Sequence, residues 1–196
     1  MAFGLKYDSL ENYLKSYGKY IVRQARGILK KRGKNVTGKL SKSLRYDIVE
    51  TKDGYDIQFL ASKYAAFVNK GVSGTQGRRT YIDKDGNRKV SPFKFKKQPP
   101  SSVIEGWIKN RGIRGRKLQA STYRLKDGTV KKRNDAGQFI TRKSLAFLIA
   151  RGIKRKGIPA ASFYTQPLSY SFNKFKKDMM QHFKTDILNE IKTFKK

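Results

Sequence analysis

The sequence predicts an α+β fold in which an antiparallel sheet of hairpins packs against long N- and C-terminal amphipathic helices. Apolar residues recur at three- and four-residue spacing near both ends of the 196-residue chain. Between those ends the tripeptide Lys-Asp-Gly occurs three times, each time between short alternating runs, as a hairpin turn with glycine at positive φ requires. Strand and helix do not alternate regularly, which argues against a doubly wound parallel sheet.

The elements follow in order. From residue 9 to about 32, Leu10, Tyr13, Leu14, Tyr17, Ile21, Ala25, Ile28 and Leu29 form one face, with Lys15, Lys19, Arg23, Arg26 and Lys30 between them. Asp8 or Ser9 stands where a cap is needed, and Gly33 is the stop. Residues 43–50 and 55–61 read as strands around Lys52-Asp53-Gly54. A second hairpin joins Tyr81-Ile82 to Val90 through Lys84-Asp85-Gly86, and a third joins Tyr123-Arg124-Leu125 to Thr129-Val130 through Lys126-Asp127-Gly128. Residues 63–68 make a short helix with Tyr64, Phe67 and Val68 on one face, and the glycine-rich stretch 71–77 reads as a mobile loop. After Pro99-Pro100, Ser101 or Ser102 starts a helix with Val103, Ile104, Trp107 and Ile108 on one side and Glu105 at capping-box offset. Residues 141–155 form another helix, through Leu145, Leu148, Ile149 and Ile153. The last starts near Ser169 or Ser171 and carries Phe172, Phe175, Met179, Phe183, Ile187, Leu188 and Ile191 as its stripe.

Composition narrows the function. Lys and Arg number 46 against 14 acids, a net charge of +32, which points to nucleic acid, acidic protein surfaces or anionic membranes as partners. No apolar run approaches the ~20 residues that cross a bilayer, and residues 1–8 do not read as a secretory signal, so a cytosolic site of assembly and no membrane partner are expected. Residues 106–157 hold sixteen bases and two acids. Domain organisation is read as one α+β core from residues 1–105 and 140–196, with 106–139 a basic, partly flexible insertion. Within it Arg111, Arg114, Arg116, Lys117, Lys131, Lys132 and Arg133 are the candidate contacts to phosphate or to an acidic partner, and such contacts gain affinity by counterion release without reading sequence.

The chain has no cysteine and a single histidine, His182. That removes disulfide frameworks, cysteine-ligated metal sites and cysteine nucleophiles. Asp83, Asp85 and Asn87 open like a calcium loop but lack its closing glutamate, so a polar turn is expected there. His182 has Asp178 and Asp186 at i−4 and i+4 and reads as a helix-surface ion pair. No phosphate-cradling glycine loop and no acid cluster for metal-dependent hydrolysis is present. The expectation is a protein without catalysis, without cofactor and without metal.

Three segments resemble a known family. Thr37-Gly38-Lys39-Leu40-Ser41-Lys42-Ser43-Leu44 opens the first hairpin; Lys63-Tyr64-Ala65-Ala66-Phe67-Val68-Asn69-Lys70-Gly71 follows it; Ile158-Pro159-Ala160-Ala161-Ser162-Phe163-Tyr164-Thr165-Gln166-Pro167-Leu168 precedes the last helix. In this order, behind a leading amphipathic helix, they resemble the tail-completion or head-to-tail joining family of tailed double-stranded DNA bacteriophages. The likeness covers about residues 5–75 and 140–196. It implies a small α+β protein that forms a homo-oligomeric ring in the virion neck, assembled in the bacterial host cytoplasm. Its partners would be itself, neighbouring portal, adaptor or tail proteins, and packaged double-stranded DNA. It also implies structural or interface roles for Gly38, Leu40, Ser43, Tyr64, Phe67, Gly71, Pro159, Phe163 and Pro167, with the insertion supplying arms that reach a neighbour. Where the family commonly has an acid two residues before the glycine, this chain has Asn69. The alternative from charge alone is a sequence-nonspecific nucleic-acid-binding protein.

Overall fold

The computed structural model describes residues 7–51, 54–115, 121–134 and 140–194. The chain is α+β, with small two-stranded antiparallel hairpins and long helices near both ends. It divides into two compact units. The first comprises Met1–Val72, Arg79–Phe93 and Pro159–Lys196; the second comprises Ser73–Arg78 and Lys94–Ile158, and residues 106–139 fall inside it.

In the first unit α1 (Asp8–Lys31) buries Leu14, Tyr17, Gly18, Ile21, Val22, Ala25 and Leu29, the face its periodicity predicts. A five-residue helix, α2 (Lys39–Ser43), follows where the sequence reading has the approach to a strand. Gly38, at φ +72°, turns the chain into it, a left-handed conformation that suits glycine. Strands β1 (Arg45–Thr51) and β2 (Gly54–Leu60) pair antiparallel with Ile48 opposite Ile57. Residues 52 and 53 of the expected turn lie outside the described residues. Next come α3 (Ala65–Lys70) and β3 (Val72–Ser73), then the hairpin β4 (Thr80–Ile82) with β5 (Arg88–Val90). Between those last two strands Asp83 Oδ1 accepts from the N–H groups of Asp85 and Asn87, and Gly86 adopts φ +88°. The polar turn expected in place of a calcium loop is what forms. Lys89 stands 2.8 Å from Asp83, and this ammonium holds the carboxyl below its usual range.

The core of this unit gathers Val22, Ala25, Leu29, Leu40, Leu44, Ala65, Ala161 and Phe163. Leu29, Leu44 and Phe163 are among the largest fully buried side chains, each contributing about 1.5–3 kcal/mol of transfer free energy. The last helix, α6 (Thr165–Phe194), packs along α1 and starts earlier than its sequence suggests. Pro167 sits in its first turn, where a missing N–H costs no intrahelical bond. Rings interleave along the pair: Tyr17 lies 4.3 Å from Phe175, Tyr13 4.7 Å from His182 and Tyr7 5.6 Å from Phe183.

Two polar details on this pair differ from the sequence reading. Asp8 and Ser9 do not cap α1; the buried carboxylate of Asp186 does, accepting from the N–H groups of Ser9 and Leu10 at 3.0 and 2.8 Å. That is a charge-assisted bond to free helix N–H groups at the positive end of the dipole. His182 does not pair with either aspartate. Its Nδ1 meets Ser9 Oγ at 2.8 Å, while Asp178 accepts from the Tyr13 hydroxyl and pairs with Lys174.

In the second unit α4 (Ser101–Asn110) buries Ile104 and Ile108 against Ala146 and Ala150 of α5 (Arg142–Lys156), whose small side chains admit close approach. Val103 and Trp107, expected on the same buried side, are exposed, as is Leu148. No side chain caps α4: Pro100 holds the N-cap position and both serines fall inside the helix, so the capping box does not form. Thr141 does cap α5, accepting from the Ser144 N–H. The third hairpin forms as expected, β6 (Ser121–Arg124) with β7 (Val130–Asn134), turning at Gly128 with φ +87°. The last strand, β8 (Gly157–Ile158), closes this unit. The glycine-rich stretch is tied down rather than free. Thr75 and Gln76 donate their N–H groups to the carbonyls of Lys154 and Arg155 at the end of α5.

Gly18 is required by close approach, since a Cβ there would lie inside the Tyr46 ring. Alanine at this position gains helix propensity of about 1 kcal/mol but overpacks the contact by about 1–3 kcal/mol. We expect Gly18→Ala to lower the thermal midpoint by several degrees in scanning calorimetry. An unchanged midpoint would show that Tyr46 gives way freely.

Candidate functional site

The candidate site is built where two of the three family-like segments meet. At the end of α3 the carbonyls of Val68 and Asn69 accept from the N–H groups of Ala161 and Ser162, both at 2.8 Å. This is a short strand-like pairing between residues about 93 apart in sequence, and it fixes the segment entering α6. The side chain of buried Asn69 then accepts from the Tyr164 N–H at 3.1 Å and reaches Thr165 Oγ1 at 3.5 Å. An amide can do both, because it carries an acceptor oxygen and a donor nitrogen; a carboxylate could only accept.

Ser162 is the strained link. It has φ +44°, the one non-glycine residue with positive φ among those described, and its hydroxyl accepts from the Ile82 N–H at 3.2 Å. Phe163 follows, fully buried. The Tyr164 hydroxyl donates to the Leu60 carbonyl at 3.0 Å, and burial pushes its pKa up to about 12, with Arg26 opposing. From the end of α1, Arg32 donates to the Ala160 carbonyl and to Gln166 Oε1. The N-cap position of α6, the C-terminus of α1 and the turn before β5 are thus joined through residues 160–166.

The structure distributes the expected site residues as follows. Leu40, Phe163 and Pro167 are buried, and Leu40 and Phe163 belong to the core. Ser43 donates from its hydroxyl to the Leu40 carbonyl and accepts from the Ser62 N–H, locking α2 to the end of β2. Gly38 and Gly71 adopt positive φ at helix ends. Pro159 is exposed. Tyr64 and Phe67 are 44% and 46% exposed, which makes them surface rather than core residues, although Phe67 stacks near Phe93 at 4.4 Å.

The basic candidates all belong to the second unit. Arg111 ends α4 with its guanidinium over the Trp107 ring at 5.2 Å, and Arg114 is exposed. Lys131 is exposed on β7 opposite Tyr123, and Lys132 and Arg133 continue that strand. Arg116 and Lys117 lie outside the described residues. By sequence the second unit holds 20 bases and three acids, net +17, and the first 26 bases and 11 acids, net +15. Charge density is therefore far higher in the second unit, which has just over half as many residues. Among the described residues no group of three or more metal-ligating side chains comes together, and no described helix is long and apolar enough to cross a membrane.

Asn69, Ser162 and Asp186 were not singled out by sequence for the work they do. Asn69 stands two residues before a helix-ending glycine, a position from which a polar side chain can reach outward; nothing local marks Ser162 or Asp186. No family model, no curated protein and no solved structure matches the chain.

Two outcomes follow. Asn69→Ala should cost about 1–3 kcal/mol by leaving the Tyr164 N–H unpaired, and Asn69→Asp, which keeps the acceptor, should cost less; equal losses in urea titrations would remove the cap as the cause. Tyr13, like Tyr164, is pushed up to about 12, by burial first and Asp178 second. The folded state therefore holds protons that the unfolded chain has released above the ordinary value near 10. Stability from these hydroxyls is complete below pH 10 and lost towards pH 12. The Tyr13→Phe and Tyr164→Phe variants should show a shallower fall over that window than the parent, and parallel curves would contradict this.

Proposed function

We propose that the chain is a structural virion protein that forms a homo-oligomeric ring in a phage neck, joining the DNA-filled head at its portal to the tail. The observation that carries this reading is the pairing of residues 68–69 with residues 161–162, which makes two family-like segments distant in sequence into one structural unit. Such interdependence gives a physical reason for the segments to occur together. The long α1 and α6 helices around the hairpins agree with the fold that the resemblance implies. In this reading the protein carries out no catalysis and needs no cofactor. Its partners are further copies of itself, neighbouring portal, adaptor or tail proteins, and the packaged double-stranded DNA, whose phosphates the net charge of +32 favours.

The high charge density of the second unit also favours a second reading, a sequence-nonspecific nucleic-acid-binding protein. The two separate on salt dependence. A dedicated binder with six or more phosphate contacts loses about a thousandfold or more in affinity between 50 and 200 mM salt yet still binds at the higher value. A neck protein is expected to release DNA there.

The decisive test is electron microscopy of lysates from a phage carrying an early stop in this reading frame. DNA-filled heads beside free, unjoined tails are the expected result. Normally joined particles, or heads that never fill, would overturn the joining role.

A further inference from the structure

A groove of about 740 Å³ opens in the first unit between α1, α6 and the β1–β2 hairpin. Its walls are apolar and aromatic, including Leu14, Phe59, Phe172, Phe175 and Phe183, and two of these, Phe172 and Phe183, are 45% and 42% exposed. Burying such rings in a partner is worth more than leaving them in water. The rim has the opposite character to the rest of the chain. Asp8, Glu11, Glu50 and Asp186 surround Tyr55 at the mouth, and their field contributes to holding that phenol above its usual range. Lys15 matches Glu11 at 2.6 Å, but Asp8 and Glu50 form no ion pair among the described residues. An acid-rimmed apolar groove repels phosphate, so nucleic acid is the wrong occupant.

What fits is an apolar surface framed by bases, and this chain presents one. The β6–β7 hairpin carries five bases and one acid between Ser121 and Asn134. On it Tyr123 and Val130 are 39% and 54% exposed, next to Arg124 and Lys131. The two strands pair only with each other.

We propose that this groove receives the β6–β7 hairpin of a second copy of the chain, with Glu50 of one copy facing the bases of the other. Groove and hairpin are different surfaces, so the contact is head-to-tail: every copy offers one of each, and association continues until the rotation closes. The inference deepens the ring reading and rests on it for that closure; the pairwise contact stands without it. Electrostatic complementarity supplies direction and rate, and the buried rings supply the area.

The cysteine-free sequence makes the test clean. Glu50 and Lys131 are both exposed, so substitution leaves the core untouched. Glu50→Cys chains mixed with Lys131→Cys chains should, on oxidation, give a disulfide-linked dimer containing one of each, identified by mass spectrometry of the joined peptides; either chain alone should not. In sedimentation equilibrium at low salt, Glu50→Lys and Lys131→Glu should each weaken association about tenfold, and a chain carrying both should recover most of it. A protein that stays monomeric, single reversals that associate like the parent, cross-links only between like positions, or a loss confined to DNA binding would each overturn the proposal. Failure here with unjoined heads and tails in the lysate leaves the neck reading intact with a different interface. Success here with normally joined particles leaves a head-to-tail oligomer that works elsewhere.

Discussion

The buried face of α1 is the constraint on which the first unit depends. Val22, Ala25 and Leu29 share one core with Leu40 and Leu44 from the approach to the hairpin, Ala65 from α3, and Ala161 and Phe163 from the entry to α6. None of those partners has a hydrophobic face large enough to be stable alone; α2 and α3 have five and six residues, well below the length at which an isolated helix persists in water. They are helical because α1 gives their apolar residues somewhere to go. Further along α1 the same helix lies against Tyr46 so closely that only glycine fits at position 18. One helix thus sets the position of the hairpin, the short helices and α6 at once.

Much of this was legible in the sequence, and the division between what was and was not is physical. Periodicity found α1, α4, α5 and α6 because an amphipathic face repeats whatever covers it. Lys-Asp-Gly found the second and third turns because Gly86 and Gly128 satisfy a local need, positive φ. Caps were misjudged because their partners are remote: the N–H groups of Ser9 and Leu10 go to Asp186, and that of Tyr164 goes to Asn69. Exposure was misjudged for a related reason. Phe172, Phe183, Leu188 and Ile191 form a stripe at helical spacing, yet each is at least 42% exposed. A pattern of apolar residues announces a face to be covered without saying by what.

The candidate site shows the same division. Leu40, Phe163 and Pro167 could be chosen as buried from their neighbours in sequence, whereas Asn69 and Ser162 take their importance from backbone groups brought in from elsewhere in the chain. Ser162 combines a strained backbone with a hydroxyl that accepts from Ile82. Glycine would relieve the backbone and lose that bond; most other residues would keep the strain without replacing the acceptor. Strain of about 1–3 kcal/mol persists only where the surroundings over-determine the conformation, and here the pairing to Asn69, the buried ring of Phe163 and the bond from Ile82 do so together.

The cap that Asp186 places on α1 joins residues 177 positions apart, and this orders events during synthesis. Contacts of such separation carry a large loop-closure cost and form late. On the ribosome, α1 emerges first but its leading turn stays uncapped until residue 186 has been made. The first unit is assembled from three stretches of chain, of which Pro159–Lys196 is the last, while the residues of the second unit, ending at Ile158, are already complete. The highly charged unit can therefore reach its final form while the first still lacks α6, and the acid-rimmed groove cannot exist until α6 supplies its wall. Any association that uses the groove is deferred, by the order of the chain itself, until each copy is nearly finished.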